Sequence, residues 1–351
     1  MESGDRMLAA LEKVAPGTPL REGLDHIISA NNGALVVIGD EPAVGRICNG
    51  GFTIDIPFSP QRMFELSKMD GAIILDGAVR TLLRANVHLV PDPTLETSET
   101  GMRHRTAERV SRQTAALVVS ISKRRAVVTL YQNGDRVILD DIEVLLAKAN
   151  QALQTLAGYK ERLDEVSAHL SALEFDDMVT VEDVVLVVQR TEMLLRIARE
   201  VERYIVQLGT EGLLVRMQAD ELTGATDSEF GTLLRDYVPE ERPRRISAVR
   251  ARLAQLSSDQ MLDGFTVADV IGLPAGADAL DAHVRPRGFR LLGRIPLLPG
   301  PVVSRLVERF GSLPGVLAAS EEALDDVEGI GARRAKAVKE GLRRLRERVR
   351  L

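Results

Sequence analysis

The densest polar constellation in the chain is Thr100-Gly-Met-Arg-His-Arg-Thr106, followed by the helical pattern of Ala107-Glu-Arg-Val110. Arginines and unpaired backbone amides at one helix start form a cradle for a polyphosphate, because both present positive charge where the helix itself supplies no acceptor. Arg103 and Arg105 are the expected phosphate ligands, with Met102, His104 and Thr106 beside them. Thr106 is placed to cap a helix starting at Ala107. Taken alone, an Arg-His-Arg triplet is more often a solvated basic turn.

A second candidate lies upstream. Asp70-Gly71-Ala72 opens the apolar run Ala72-Ile-Ile-Leu75. An acid at the start of a buried strand, followed by glycine, suits a carboxylate that holds a divalent cation against a ligand close to the backbone. The near-copy Asp76-Gly77-Ala78 follows the strand and reads as its exit turn.

These blocks need a scaffold. Up to about Asp140 the pattern alternates between strand-like and helix-like. Short apolar runs at Gly33–Gly39, Asp70–Leu75, Ala116–Ile121 and Ala126–Tyr131 read as buried strands. Asn133-Gly134 reads as a hairpin turn into Arg136–Leu139. Helical segments at Ser59–Met69 and Thr106–Thr114 complete a mixed α/β domain over residues 1–140.

Residues 141–284 read as an all-α spine. Leu145, Ala149, Ala152, Leu156, Tyr159, Leu163, Val166, Leu170 and Leu173 alternate spacings of four and three, the seam of a packed helix. Another helix starts at Thr180, where Thr180 and Asp183 resemble a capping box, and ends before Gly209. Breaks are expected at Pro239–Pro243 and Pro274–Gly276.

Residues 285–351 form a third, basic segment. It holds 15 Lys or Arg against 8 Asp or Glu, a net of +7, so the preceding 284 residues carry −13 of the chain's −6. Such a tail points to a polyanion or to an Arg-rich solvated surface. It contains an internal repeat of helix, tight turn and helix, centred on Leu298-Pro-Gly-Pro301 and on Val327-Glu-Gly-Ile-Gly331. The second turn resembles a helix-hairpin-helix motif. Gly329 and Gly331 permit a close approach to phosphate, and Arg333, Arg334 and Lys336 add charge, a design that grips nucleic-acid backbone without reading bases. The first turn has two prolines without donor amides and only Gly300 as a small residue. A protein-interaction hairpin is the competing reading.

Composition removes other classes. The single cysteine, Cys48, excludes an intrachain disulfide and a cysteine-based zinc site, and the five histidines are scattered. Aromatics at 3% and no Trp leave little for stacking on single-stranded bases. No apolar run approaches the roughly 20 residues that span a bilayer, and Glu2, Asp5 and Glu12 oppose a signal peptide. A cytoplasmic location is the expectation.

Together, Asp70-Gly-Ala-Ile-Ile-Leu75 and Gly101-Met-Arg-His-Arg-Thr-Ala-Glu-Arg109 resemble the two signature blocks of the diadenylate cyclase domain. With the helical middle and the tandem-hairpin tail, the whole chain resembles the DisA family. The resemblance implies condensation of two ATP into cyclic di-AMP with loss of two pyrophosphates, Mg²⁺ or Mn²⁺ held by Asp70, and DNA, branched in form, as the tail's partner. By match to the family, the resemblance also implies that Gly71, Ala72, Leu89 and Ser122 lie against the nucleotide. It further implies a homo-oligomer, an octamer in the family, with two heads facing each other. The rival reading is a non-enzymatic DNA-repair scaffold whose head only senses nucleotide. A linear adenylyl transferase would need more carboxylates around the metal than the sequence offers.

Overall fold

The computed structural model describes residues 3–39, 42–239, 246–276 and 279–349. The break expected at Pro239–Pro243 falls almost entirely outside them. The chain forms two compact units, Met1–Gln151 with Val201–Met217, and Ala152–Glu200 with Gln218–Leu351.

The first unit is built on an eight-stranded sheet. Its strands are β1 (Ala34–Ile38), β2 (Cys48–Asn49), β3 (Phe52–Pro57), β4 (Ala72–Leu75), β5 (Thr81–Leu89), β6 (Leu117–Ser122), β7 (Val127–Gln132) and β8 (Asp135–Ile138). The order is β2-β5-β4-β1-β6-β7-β8, with β3 on β5; β1 and β4 run parallel and the other pairs antiparallel. The expected α/β head is therefore present.

Both sheet faces are covered, which is why the central strands are continuous apolar runs rather than alternating ones. Helices α1 (Ser3–Lys13) and α2 (Pro19–Ser29) pack on one face against Val36, Ile73, Val119 and Leu130, joined by Met63 of α4 (Pro60–Leu66). Helices α3 (Pro42–Ile47) and α5 (Met102–Gln113) cover the other, where Ala107 and Val110 meet Leu35, Val37, Ile74 and Val118. Asn133 and Gly134 both take positive φ, 51° and 86°, which makes the β7–β8 turn the primed type that matches strand twist.

Strands β3 and β5 escape the sequence pattern for a physical reason. Each contains a register shift, near Asp55 in β3 and near Asn86 in β5, where φ is 48° and 54°. A bulge interrupts the two-residue alternation on which strand recognition depends.

Two long helices, α6 (Ile142–Asp176) and α7 (Val181–Leu208), contribute to both units. The seam from Leu145 to Leu173 lies on the covered side of α6, and Thr180 and Asp183 form the reciprocal cap at the start of α7. A short 3-10 turn, Gly209–Gly212, leads into α8 (Leu213–Thr223), then α9 (Thr226–Tyr237), α10 (Ile246–Gln255), α11 (Ser258–Leu262) and α12 (Gly264–Ile271). The tail holds α13 (Phe289–Leu292), α14 (Gly300–Phe310), α15 (Leu313–Ala318), α16 (Glu321–Asp325) and α17 (Ala332–Val349).

The tail shares its core with α6. Phe175 belongs to the cluster of Leu292, Leu306, Leu324, Val338 and their neighbours. Beside it, Arg290 is buried against Glu174 at 2.5 Å, with Ser171 accepting a further bond at 2.9 Å, while Tyr237 donates to Glu174 at 2.7 Å. Asp236 accepts from the amides of Gly288, Phe289 and Arg290 at 2.6 to 2.9 Å, tying α9 to the start of α13.

Candidate functional site

Sheet register gathers the predicted residues of the head. Ala72 pairs with Leu35, Ala34 pairs with Ile121, and Ala72 pairs with Val87. Leu89 ends β5, Asp70 and Gly71 lead into β4, Gly33 precedes β1 and Ser122 ends β6, so all lie at the same end of adjacent strands. Neighbouring strands lie about 4.8 Å apart, so the set is compact. Gly33 and Ser122 share strand parity with Leu35 and Val118, which face α5.

Gly71 shapes this end of the sheet. Its φ is +106°, and a Cβ there would sit 2.7 Å from the backbone carbon of Asn86. The chain thus enters β4 pressed against β5, and only glycine fits. Ala72 and Leu89 are buried on the α5 side, while Asp70 is exposed.

The Arg-His-Arg block sits differently from expectation. The helix starts at Met102, with Gly101 as N-cap and no side chain capping it. Thr106 is therefore inside the helix, its hydroxyl donating to the Met102 carbonyl at 3.0 Å, and it does not cap. The Arg105 amide already bonds the Gly101 carbonyl at 2.8 Å. The amides left for an anion are those of Met102, Arg103 and His104, since the first turn has no intrahelical acceptor. The helix starts earlier because the Glu108 carboxylate, 3% exposed, holds the preceding loop by the Thr97 hydroxyl at 2.6 Å and the Ser98 amide at 3.1 Å.

Arg103 reaches across the sheet edge. Its Nη1 donates to the Ile121 carbonyl at 3.3 Å and lies over Gly33, where a Cβ would be 2.2 Å away. Gly33, outside the set expected from sequence, makes room for the guanidinium. The Arg105 side chain is exposed and Met102 is 84% exposed.

His104 is half-buried and belongs to a chain of side chains that the sequence did not reveal. Its Nδ1 is 2.9 Å from the Tyr131 hydroxyl, which donates to Glu99 at 2.8 Å; Arg136 also donates to Glu99, at 2.7 Å. Burial pushes the His104 pKa down, with Arg103, Arg125 and Arg136 adding to this and Glu99 opposing it. Burial acts to raise the Glu99 pKa, but the bonds from Arg136 and Tyr131 outweigh it and hold the carboxyl below its ordinary value. Arg125, in the turn after β6, is one of the three arginines acting on His104, and the run Lys123-Arg124-Arg125 after Ser122 is the signal that could have found it.

Among the described residues no group of three or more His, Cys, Asp or Glu could hold a metal ion. A full protein cage is thus not formed. Asp70, exposed at the entry to β4, offers one carboxylate, the number with which Mg²⁺ or Mn²⁺ can bind when substrate phosphates supply the other oxygens.

In the tail, the two hairpins match residue by residue. Ile295 answers Val327, Leu297 answers Gly329, Leu298 answers Ile330 and Pro299 answers Gly331. Leu297 and Gly329 share positive φ, 73° and 84°. The Leu298 amide bonds Ile295 as Ile330 bonds Val327, and Val303 bonds Pro299 as Ala335 bonds Gly331. Gly300 is then the first helical residue, the counterpart of Ala332, and not the motif glycine. A cleft of about 660 Å³ is lined by Leu297, Leu298 and Pro299 from one turn and Gly331, Arg333 and Arg334 from the other. Arg334 bends back to the Gly329 carbonyl at 2.5 Å, which leaves Arg333 and Lys336 as the outward charges.

Comparison with known proteins gives concordant matches. The family described as the DisA bacterial checkpoint controller nucleotide-binding region matches residues 21–136, and the DisA linker region matches 139–280. The chain is 54% identical to the DNA integrity scanning protein DisA of Symbiobacterium thermophilum, over 99% of this chain and 97% of that one. It is 49% identical to the protein of that name from Carboxydothermus hydrogenoformans, over 98% and 97%. The Streptomyces coelicolor protein of that name is 48% identical over 97% and 92%.

Proposed function

The chain belongs to the DisA family, and on that footing we propose that its head condenses two ATP into cyclic di-AMP, releasing two pyrophosphates, while its tail grips DNA. It is a diadenylate cyclase. The observation that carries the finer reading is that Asp70, Gly33 and Ser122 lie at the same end of adjacent strands, with Arg103 of α5 bonded to the Ile121 carbonyl and laid over Gly33.

Each step of the chemistry has a residue for it. The free amides of Met102, Arg103 and His104 and the guanidinium groups of Arg103 and Arg105 take up the triphosphate's charge. Asp70, with Mg²⁺ or Mn²⁺, would neutralise charge at the α-phosphate and favour ionisation of a 3′-hydroxyl. Leu89 and Ala72 offer the apolar wall beside these residues. Phosphoryl transfer then depends mainly on alignment of the attacking oxygen with phosphorus. One head that holds one ATP supplies only half of a symmetric product, so two heads must meet face to face in a homo-oligomer, an octamer by family resemblance.

For the tail, the paired turns with Arg333 and Lys336 support contact with DNA phosphates, and the duplication favours a backbone grip on two neighbouring segments, as in branched DNA. DNA held there would alter cyclisation where it favours one state of the assembly. No helix among the described residues is long and apolar enough to cross a membrane.

The test is direct. Purified protein incubated with ATP and Mg²⁺ or Mn²⁺ should yield cyclic di-AMP and pyrophosphate by mass spectrometry. ATP returned unchanged, or linear products only, would reject the assignment. Removing residue 285 onward is a poor test of DNA binding, because Phe175 and Glu174 would lose their buried partners. Substitution of Arg333 and Lys336 is the cleaner one.

A further inference from the structure

We propose that Tyr131 and Glu99 are positioning residues that fix His104 with its proton on Nδ1, so that Nε2 meets the substrate as a lone pair and not as a donor to phosphate. The proposal rests on the cyclase reading for its consequence, though not for its geometry.

The argument follows from counting protons. Arg136 and Tyr131 both donate to one oxygen of Glu99, at 2.7 and 2.8 Å, and that carboxyl is held ionised. A carboxylate only accepts, so the single phenolic proton of Tyr131 is spent on Glu99. The Tyr131 oxygen is then an acceptor toward His104, 2.9 Å away, and Nδ1 must bring the proton. This holds whether or not the ring is charged. Burial and three arginines favour the neutral ring, in which Nε2 has no proton.

The chain is well anchored. Tyr131 is fully buried on β7 among Val37, Val118 and Val110. Glu99 lies on the loop that Glu108 holds through Thr97 and Ser98. A rigid strand and a tied loop thus meet at the ring of a residue whose backbone amide is part of the anion cradle. A histidine oriented through its other nitrogen is the usual arrangement where the free nitrogen must take a proton or a cation. Arg103 and Arg105 already supply charge to phosphate, so a neutral acceptor adds what they lack. Its counterpart is the proton of the attacking 3′-hydroxyl or the divalent cation carried in with the triphosphate.

The test uses the full-length protein with ¹⁵N-labelled histidine, in solid-state spectra without nucleotide, His104→Gln identifying the signal. Above the ring's pKa, His104 should show a protonated Nδ1 and a bare Nε2. Tyr131→Phe, which keeps the ring in the core, should release this preference. A protonated Nε2 in the wild type overturns the proposal even if cyclisation is confirmed, and absent cyclisation leaves this readout standing. In kinetics, Glu99→Gln removes the group that raises the His104 pKa, so the acid limb of the rate profile should move to lower pH. Glu99→Asp should restore it. An unmoved limb in an active Glu99→Gln enzyme also overturns the proposal. With Mn²⁺ present, a change at Nε2 on adding 3′-deoxy-ATP identifies the cation as counterpart. A change only with an unreactive analogue that keeps the 3′-hydroxyl identifies the hydroxyl.

Discussion

Gly33→Ala separates folding from catalysis in this head. The added methyl would lie 2.2 Å from Arg103 Nη1 and 3.1 Å from the Ile121 carbonyl. The carbonyl approach is tight but tolerable with a shift of a few tenths of an ångström. The guanidinium approach is not, and ordinary van der Waals separation requires the group to retreat by more than about 1 Å. Because Arg103 is exposed and flexible, the retreat costs the fold little. The loss of backbone freedom in the unfolded chain offsets part of that cost by about 0.4–1 kcal/mol. Stability should therefore change by less than about 1 kcal/mol. Catalysis should suffer more, since displacement of a positioning group by about 1 Å costs on the order of 10²-fold, or about 2.7 kcal/mol of barrier. The assay is initial-rate formation of cyclic di-AMP beside a thermal melt of the same preparation. A variant that melts like the wild type and cyclises at its rate would refute the role given to Arg103.

The remaining predictions are briefer. Asp70→Asn should lower the rate by at least about 10²-fold with an unchanged melt, because the exposed carboxylate supports no buried neighbour; equal rates would remove it from the site. Arg290→Leu leaves Glu174 buried without its cation and should cost about 3–5 kcal/mol in urea unfolding, while the pair Arg290→Met with Glu174→Gln should cost less. Arg333→Ala with Lys336→Ala should weaken duplex binding and flatten the slope of log K against log salt by about 0.9 for each phosphate no longer neutralised; an unchanged slope would place the DNA surface elsewhere. Leu297→Gly relieves a left-handed backbone at an exposed residue, where the gain of about 1–2 kcal/mol exceeds the cost of glycine's added freedom, and should raise the melting temperature slightly.

Much of the fold was legible because its signals are local. The runs at Ala34–Ile38 and Ala72–Leu75 are apolar throughout, Leu117–Ser122 is apolar but for Ser120 and Ser122, and burial on both faces favours that pattern. The Asn133-Gly134 turn and the Thr180–Asp183 cap are short-range chemistry between neighbours in sequence. Strands β3 and β5 were hidden by their bulges. The start of α5 was misplaced because Thr106 offers the chemistry of a cap, whereas the helix begins five residues earlier at Met102, after a loop tied to Glu108. In the tail, proline and leucine in the first hairpin concealed a backbone that matches the second one bond for bond.

The site divides along the same line. Asp70 and the Arg-His-Arg block are recognisable from residue type, since each is a local cluster with few structural uses. Gly33, Glu99 and Tyr131 are ordinary residues in sequence, and only long-range folding brings them to the candidate site. Ala34 opposite Ile121 is what brings Gly33 beneath Arg103, and the parallel pairing of Leu35 with Ala72 puts the Asp70 entry to β4 at the same end of the sheet. A slip of β1 by one residue would place Asn32 or Ala34 under the guanidinium and turn Leu35 and Val37 away from α5. The same apolar packing that makes that slip costly therefore holds Gly33 under Arg103.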